Sequence, residues 1–308
     1  MKKIFLILLI GICAFASELK LKSNLNAIKL IDEKLLIGLD NGEILSVLVK
    51  DKQEKLIAKL AKIKNFYEDN VDPRIYSIDY FDGMVLVLSE GDFGSKKLNI
   101  YNENMIFDFQ LPNNSVKKAL FLNNNIVVLA ALDSSVELLD LKTKKVIKKT
   151  TFSNSSLSDV VLDEHKNILV AGFESGEIVL FDLNKWQKIK NYKNIHKDNI
   201  YQLDYKNKTI LSCSTDRKLG IIANNNEKIL EKDFLIYACA LSQNGTIAAF
   251  SDNEKNIIEL VDTKTLKTIK KFQNRNFLLE YLIFLNDDEL VSAGFENTII
   301  FWSINESF

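Results

Sequence analysis

An all-β chain built from one sheet motif used many times is what this sequence predicts, and three observations carry the prediction. The first is a unit that returns about every forty residues. The second is period-two alternation of apolar and polar residues within each unit, which is the pattern of half-buried strands. The third is that no long helical pattern interrupts the series. The repeat shows in the segments starting at Leu36 (LIGLDNGEILSVL), Leu169 (LVAGFESGEIVLFD), Leu211 (LSCSTDRKLGIIA) and Leu290 (LVSAGFENTIIFW). Each has an apolar run, a turn of Asp, Asn, Ser or Gly, and a second apolar run.

Val47, Tyr101, Leu139, Phe181, Ile222, Val261 and Trp302 mark one position of the second run, with spacings of 54, 38, 42, 41, 39 and 41 residues. Seven units therefore fill the chain. The first strand of a unit alternates, as in Ile75 onward (IYSIDYF) and Ile200 onward (IYQLDY). The two runs around the turn follow. A Lys-rich strand closes the unit, as at Val146 (VIKKTTF), Gln187 (QKIKNY) and Leu266 (LKTIKKF). Charge suits an exposed outer strand because it discourages edge-to-edge pairing. Four short strands per forty residues describe a propeller blade, so the predicted fold is a seven-bladed β-propeller of four-stranded antiparallel blades. The last unit ends at Ile304 after its third strand, and Glu18–Asn24 is an unassigned strand. Residues 18–24 are therefore expected to pair with Thr298–Ile304 and close the ring.

Residues 1–16 read as a secretory signal peptide: Lys2 and Lys3, an apolar stretch, then Ala14-Phe15-Ala16 before Ser17. The bulky Ile12 before Cys13 argues against a lipoprotein site. A single domain over 17–308, periplasmic and monomeric, is the expectation, with no membrane insertion after cleavage. Removing Lys2 and Lys3 leaves 38 basic against 41 acidic residues. A net charge of −3 gives no drive toward nucleic acid. Cys213 and Cys239 fall on strands of adjacent blades and are expected as two separate buried thiols, a disulfide being the alternative.

From Ile195 (IHKDNIYQLDYKNKTILSCSTDRKLGIIA) the chain resembles a WD-repeat: a His opens the blade, then an apolar strand, Ser-x-Ser-x-Asp and a further strand. The resemblance implies a hydrogen-bonded network of His196, Ser212 and Asp216, with Ile222 where the family has Trp. Only Trp302 keeps that Trp. An exported, degenerate, Asn- and Lys-rich propeller of this length further resembles the NapL family of accessory proteins. That resemblance implies protein partners among the components of the periplasmic nitrate reductase, and a role in its maturation, assembly or electron supply.

No inventory for chemistry stands out. His165 lies in a polar turn (DEHKN), and His196 is taken by the blade network. Haem and copper sites draw on several His, or on His with Cys or Met. No haem-attachment motif, phosphate-binding Gly loop or nucleophile elbow is present. Asp140, Asp182 and Asp262 recur at one blade position, which points to turn formation. Glu90 and Asp92 offer hard oxygens, but their spacing fits no calcium loop. The expectation is a non-enzyme with no catalytic residues, cofactor or metal; the competing classes are a scaffold for another envelope client and a quinoprotein- or lyase-type propeller.

The second unit breaks the rhythm through two long connections, Lys64 onward (KNFYEDNVDPR) and Ser89 onward (SEGDFGSKK). Both connection types leave the same face of a propeller, and long loops in a compact repeat often carry function. Phe66, Tyr67, Arg74, Asp92 and Phe93 there, with Arg275 elsewhere on the rim, form the candidate partner surface, aromatic and Arg anchors being enriched in interfaces. The alternative has Phe66 or Phe93 tucked onto the blade. Ser115, Ser156, Asn199 and Asn276 are expected to line the rest of that face.

Overall fold

The computed structural model describes residues 16–274 and 278–305. Residues 1–15 of the expected signal peptide (1–16), as well as Arg275 and Asn276, lie outside the described residues. β1 (Ser17–Lys20) precedes the first blade, which comprises β2 (Leu25–Ile31), β3 (Lys34–Leu39), β4 (Glu43–Leu48) and β5 (Glu54–Lys59). Blade 2 is β6 (Ile75–Phe81), β7 (Met84–Glu90), β8 (Lys96–Asn102) and β9 (Asn104–Gln110). Blade 3 is β10 (Val116–Phe121), β11 (Ile126–Ala131), β12 (Ser135–Asp140) and β13 (Lys145–Thr151). Blade 4 is β14 (Leu157–Leu162), β15 (Ile168–Phe173), β16 (Ile178–Asp182) and β17 (Gln187–Tyr192). Blade 5 is β18 (Ile200–Lys206), β19 (Thr209–Ser214), β20 (Lys218–Ala223) and β21 (Asn226–Glu231). Blade 6 is β22 (Cys239–Leu241), β23 (Ile247–Asp252), β24 (Ile257–Asp262) and β25 (Thr268–Gln273). Blade 7 is β26 (Tyr281–Phe284), β27 (Glu289–Ala293) and β28 (Thr298–Ser303), completed by β1. The protein is a seven-bladed β-propeller of four-stranded antiparallel sheets.

The closing strand behaves as expected. β1 pairs antiparallel with β28, Ser17 opposite Phe301 and Lys20 opposite Thr298. Leu21 N–H then donates to the Asn297 carbonyl at 2.7 Å, and Leu19 and Leu21 are buried between blades 7 and 1. The ring is thus held by backbone pairing and by two leucines in a shared core.

Middle strands such as β11 and β12 are buried along nearly their whole length, while the outer β13 is exposed through five consecutive residues. Blades join through one recurring contact. In blades 2 to 7 a large apolar residue of the third strand shares a core with the marker residue of the next blade. The pairs are Ile100 with Leu139, Leu138 with Phe181, Leu180 with Ile222, Ile221 with Val261, Leu260 with Trp302, and Phe301 with Val47. Burying apolar area on both faces of every sheet is what makes seven weak units one stable ring.

The recurrent strand-end Asp residues are turn formers. Asp140 Oδ1 accepts from Thr143 N–H at 2.6 Å, Asp182 Oδ1 from Lys185 N–H at 2.9 Å and Asp262 Oδ1 from Thr265 N–H at 2.6 Å. Three other carboxylates, within first strands, do something the repeat did not announce. Each reaches across to the next blade: Asp79 accepts Phe121 N–H at 2.8 Å, Asp159 accepts Leu203 N–H at 2.9 Å, and Asp204 accepts Leu241 N–H at 2.8 Å. Lys29 and Lys118 stand 3.3 and 2.8 Å from Asp79 and Asp159. These carboxylates bridge blades, so they are clamps and not turn residues.

Cys213 and Cys239 are two free, buried thiols as expected, not a disulfide, and both Sγ atoms lie against the Gln202 carbonyl oxygen, at 3.7 and 3.6 Å. Burial pushes the Cys239 thiol well up, with Cys213 beside it. The adjacent-blade register that seemed to part them brings their side chains to one backbone oxygen. Among the described residues, no helix is long and apolar enough to cross a membrane.

Candidate partner surface on blade 2

The connection between β5 and β6 is a built structure. Ile63 and Val71 exchange both backbone hydrogen bonds, at 2.9 and 3.0 Å, making a small hairpin. At its tip Asn65 Oδ1 accepts the N–H groups of Tyr67 and Glu68, both at 2.7 Å. This is the turn chemistry for which Asn is favoured. These bonds fix the backbone of the tip that carries Phe66 and Tyr67.

The connection between β7 and β8 folds through a single 3-10 turn, Asp92–Gly94. The two connections lock reciprocally. Lys64 N–H donates to Asp92 Oδ1 at 2.8 Å, and Phe93 N–H donates to the Lys64 carbonyl at 2.8 Å. Phe66 and Phe93 meet with ring centroids 5.5 Å apart at 54°. Asp92, weighed as a calcium ligand from its chemistry, instead ties one loop to the other.

Phe93 adopts φ 55° and ψ 37°, left-handed backbone that costs a bulky side chain energy. The conformation aims its ring outward. Phe66, Tyr67 and Phe93 are 78, 94 and 55 % exposed. The tucked alternative does not hold for Phe66 or Phe93, since both rings stand in solvent against each other. On the same blade, Arg74 lies 5.7 Å and Lys96 3.4 Å from the Tyr76 ring, an arrangement in which the cations face the electron-rich ring. Burial lowers the Lys96 ammonium and raises the Tyr76 hydroxyl from their ordinary values.

The expected rim residues share one backbone role. The carbonyls of Arg74, Ser115, Ser156 and Asn199 accept the N–H of Glu90, Leu132, Glu174 and Thr215, at 2.8 to 3.0 Å. Each thus stands just ahead of a first strand on the same face. Two of their side chains are engaged locally: Ser115 Oγ donates to Asn113 Oδ1 at 2.7 Å, and Ser158 Oγ to Asn199 Oδ1. Sequence reasoning missed Tyr201, Tyr237 and Glu280. The two tyrosine rings meet at 4.5 Å, tilted by 37°, and burial, the largest cause, raises Tyr201 to about 12, with Glu280, itself raised by burial to about 6, adding to that rise. Nothing in spacing could have announced this cluster, because it joins blades 5, 6 and 7.

The polar network expected in blade 5 is complete for its three members. His196 Nδ1 lies 3.1 Å from Asp216 Oδ1, and Nε2 lies 2.7 Å from Ser212 Oγ. Asp216 also accepts Lys197 N–H at 2.9 Å. Burial opposes its ionisation, but the bonds from His196 and Lys197 outweigh that and hold the carboxyl low. A Cβ on Gly220 would approach Ile195 Cγ2 to 2.4 Å and Ser212 Oγ to 2.6 Å, so glycine is required beside the imidazole. Asp, His and Ser in line have the order of a hydrolytic relay, yet Ser212 is wholly buried and no substrate can meet its Oγ. In blade 7, Trp302 Nε1–H donates to Ser292 Oγ at 2.8 Å.

No protein-family model matches this chain, and among curated proteins none is detectably similar to it.

Proposed function

We propose that this protein is an exported, non-catalytic interaction scaffold, and that the locked loop pair of blade 2 is where a protein partner docks. The observation that carries the reading is the reciprocal tie between Lys64, Asp92 and Phe93, on a loop pair where Phe66, Tyr67 and Phe93 stand exposed to solvent. Rigid exposed aromatics beside an Arg are the composition of an interface anchor, and holding them in place reduces the entropy lost on docking.

A WD-repeat relationship is supported by His196, Ser212 and Asp216 in blade 5 and by Trp302 with Ser292 in blade 7, which together contain the parts of that family's network. The client is a component of the periplasmic nitrate reductase, served in maturation, assembly or electron supply, as for the NapL accessory proteins that the exported propeller resembles. The competing client is another envelope protein.

Affinity capture from the periplasm of nitrate-respiring cells tests both parts. The tagged protein should recover nitrate reductase subunits, and Phe93→Ala combined with Arg74→Ala should lose them while melting unchanged. Capture undiminished by the double variant removes the loop pair. A different envelope protein in place of the reductase moves the client.

A further inference from the structure

Ser46 is out of place. The residue just before the marker is Ile100, Leu138, Leu180, Ile221, Leu260 or Phe301 in blades 2 to 7, and in each case it fills the joint with the next blade. Blade 1 has Ser46 at that position, opposite Leu36 and Lys55 in the sheet and facing Tyr101 of blade 2. A serine there lacks the volume of the leucine or isoleucine that its counterparts use. The joint between blades 1 and 2 accordingly opens into a cleft of about 440 Å³.

A second local feature keeps the cleft open. In blade 4 the connection from β16 to β17 carries Trp186, which packs edge-on against Phe181 and lies under Lys148 of blade 3. In blade 2 the equivalent connection is a single residue, Glu103, between β8 and β9. It lines the cleft without covering it.

The walls are Leu36, Leu56, Ile57, Tyr80, Val85 and Tyr101. Ser46 and Lys55 are cross-strand neighbours, and Lys34 is on the same blade wall. Among the described residues, the side chains of Ser46, Lys34, Lys55, Tyr80 and Tyr101 make no hydrogen bond or ion pair within the protein. Two carboxylates, Asp32 and Glu103, also line the cleft, each in a turn between strands. The lining is therefore apolar on both walls, with hydroxyl donors and two unpaired ammonium groups clustered on and around Ser46.

We propose that this cleft is a small-molecule site for an amphipathic carboxylic acid. Its apolar body lies against Leu36, Val85 and Ile57, and its carboxylate meets Lys55, Lys34 and the Ser46 hydroxyl. Concave, mainly apolar sites with a few convergent polar groups are the usual form of ligand pockets, and roughly 300–1,000 Å³ is their usual size. The site is on blade 1 and blade 2 wall residues apart from the loop pair, so it stands or falls independently of partner docking.

Isothermal titration of the purified protein with octanoate tests the site, with octanol and octylammonium as comparators. Saturable octanoate binding at one site is expected, with each comparator about tenfold weaker. Ser46→Leu, which restores the side chain used elsewhere in the ring, should abolish binding without lowering the melting temperature. Lys55→Glu, at the exposed rim, should weaken octanoate about tenfold and narrow its advantage over octylammonium. Absence of saturable octanoate binding overturns the proposal. So does full affinity in folded Ser46→Leu, or octylammonium binding as tightly as octanoate.

Discussion

Blades 5 and 2 are copies of one unit that use their polar groups in opposite directions. Blade 5 turns them inward: His196, Ser212 and Asp216 bond to each other, and the imidazole is sealed from solvent. Blade 2 turns them against its own loops: Asp92 holds Lys64, and the outcome is three aromatic rings facing water. The same economy of hydrogen bonds stabilises a frame in one place and presents a surface in the other. A repeat protein can thus alter a single unit with little disturbance to the others, because each blade packs mainly against the adjoining two.

Ring closure sets the scale on which both blades can be broken. Deleting residues 18–24 removes a paired strand and the burial of Leu19 and Leu21, which is worth roughly 3–6 kcal/mol at ordinary transfer values. Chemical denaturation should show that loss, and an unchanged midpoint would sink the closure. Next in size is His196→Ala in blade 5. It leaves Asp216 and the wholly buried Ser212 short of a partner, at a cost of about 2–4 kcal/mol in global stability. The smallest effect belongs to Asp92→Ala in blade 2, about 1 kcal/mol or less. Its signature is local: faster amide exchange at Lys64 and Phe93 with the melting temperature held. If Asp92→Ala instead lowered melting as much as His196→Ala, the two blades would not differ in the way described.

The legible part of the molecule is the part that repeats. Strand number, blade number, the closing strand and the turn role of Asp140, Asp182 and Asp262 all follow from period and alternation. The loop pair was visible as a break in spacing, and its residues Phe66, Tyr67, Arg74, Asp92 and Phe93 were picked out by type. That Asp92 would bond to Lys64 N–H was not visible, since the two are 28 positions apart. The clamps of Asp79 and Asp204 left a faint trace, the Asp shared by IYSIDYF and IYQLDY. Their partners are backbone N–H groups, which every sequence has and no sequence distinguishes. Ser46 was legible in principle, as the single small polar residue in its column, once the blades are laid over one another.

What the chain determines by itself is the module and the number of its copies, because burial of both sheet faces requires continuous apolar middle strands and a polar outer strand each time. Tertiary structure alone decided which copies differ in use. Whether two connections touch, whether a cleft stays open and whether two thiols share a carbonyl depend on distances between blades. Those distances arise only when the ring closes and brings residues remote in sequence to within a bond length of one another's partners.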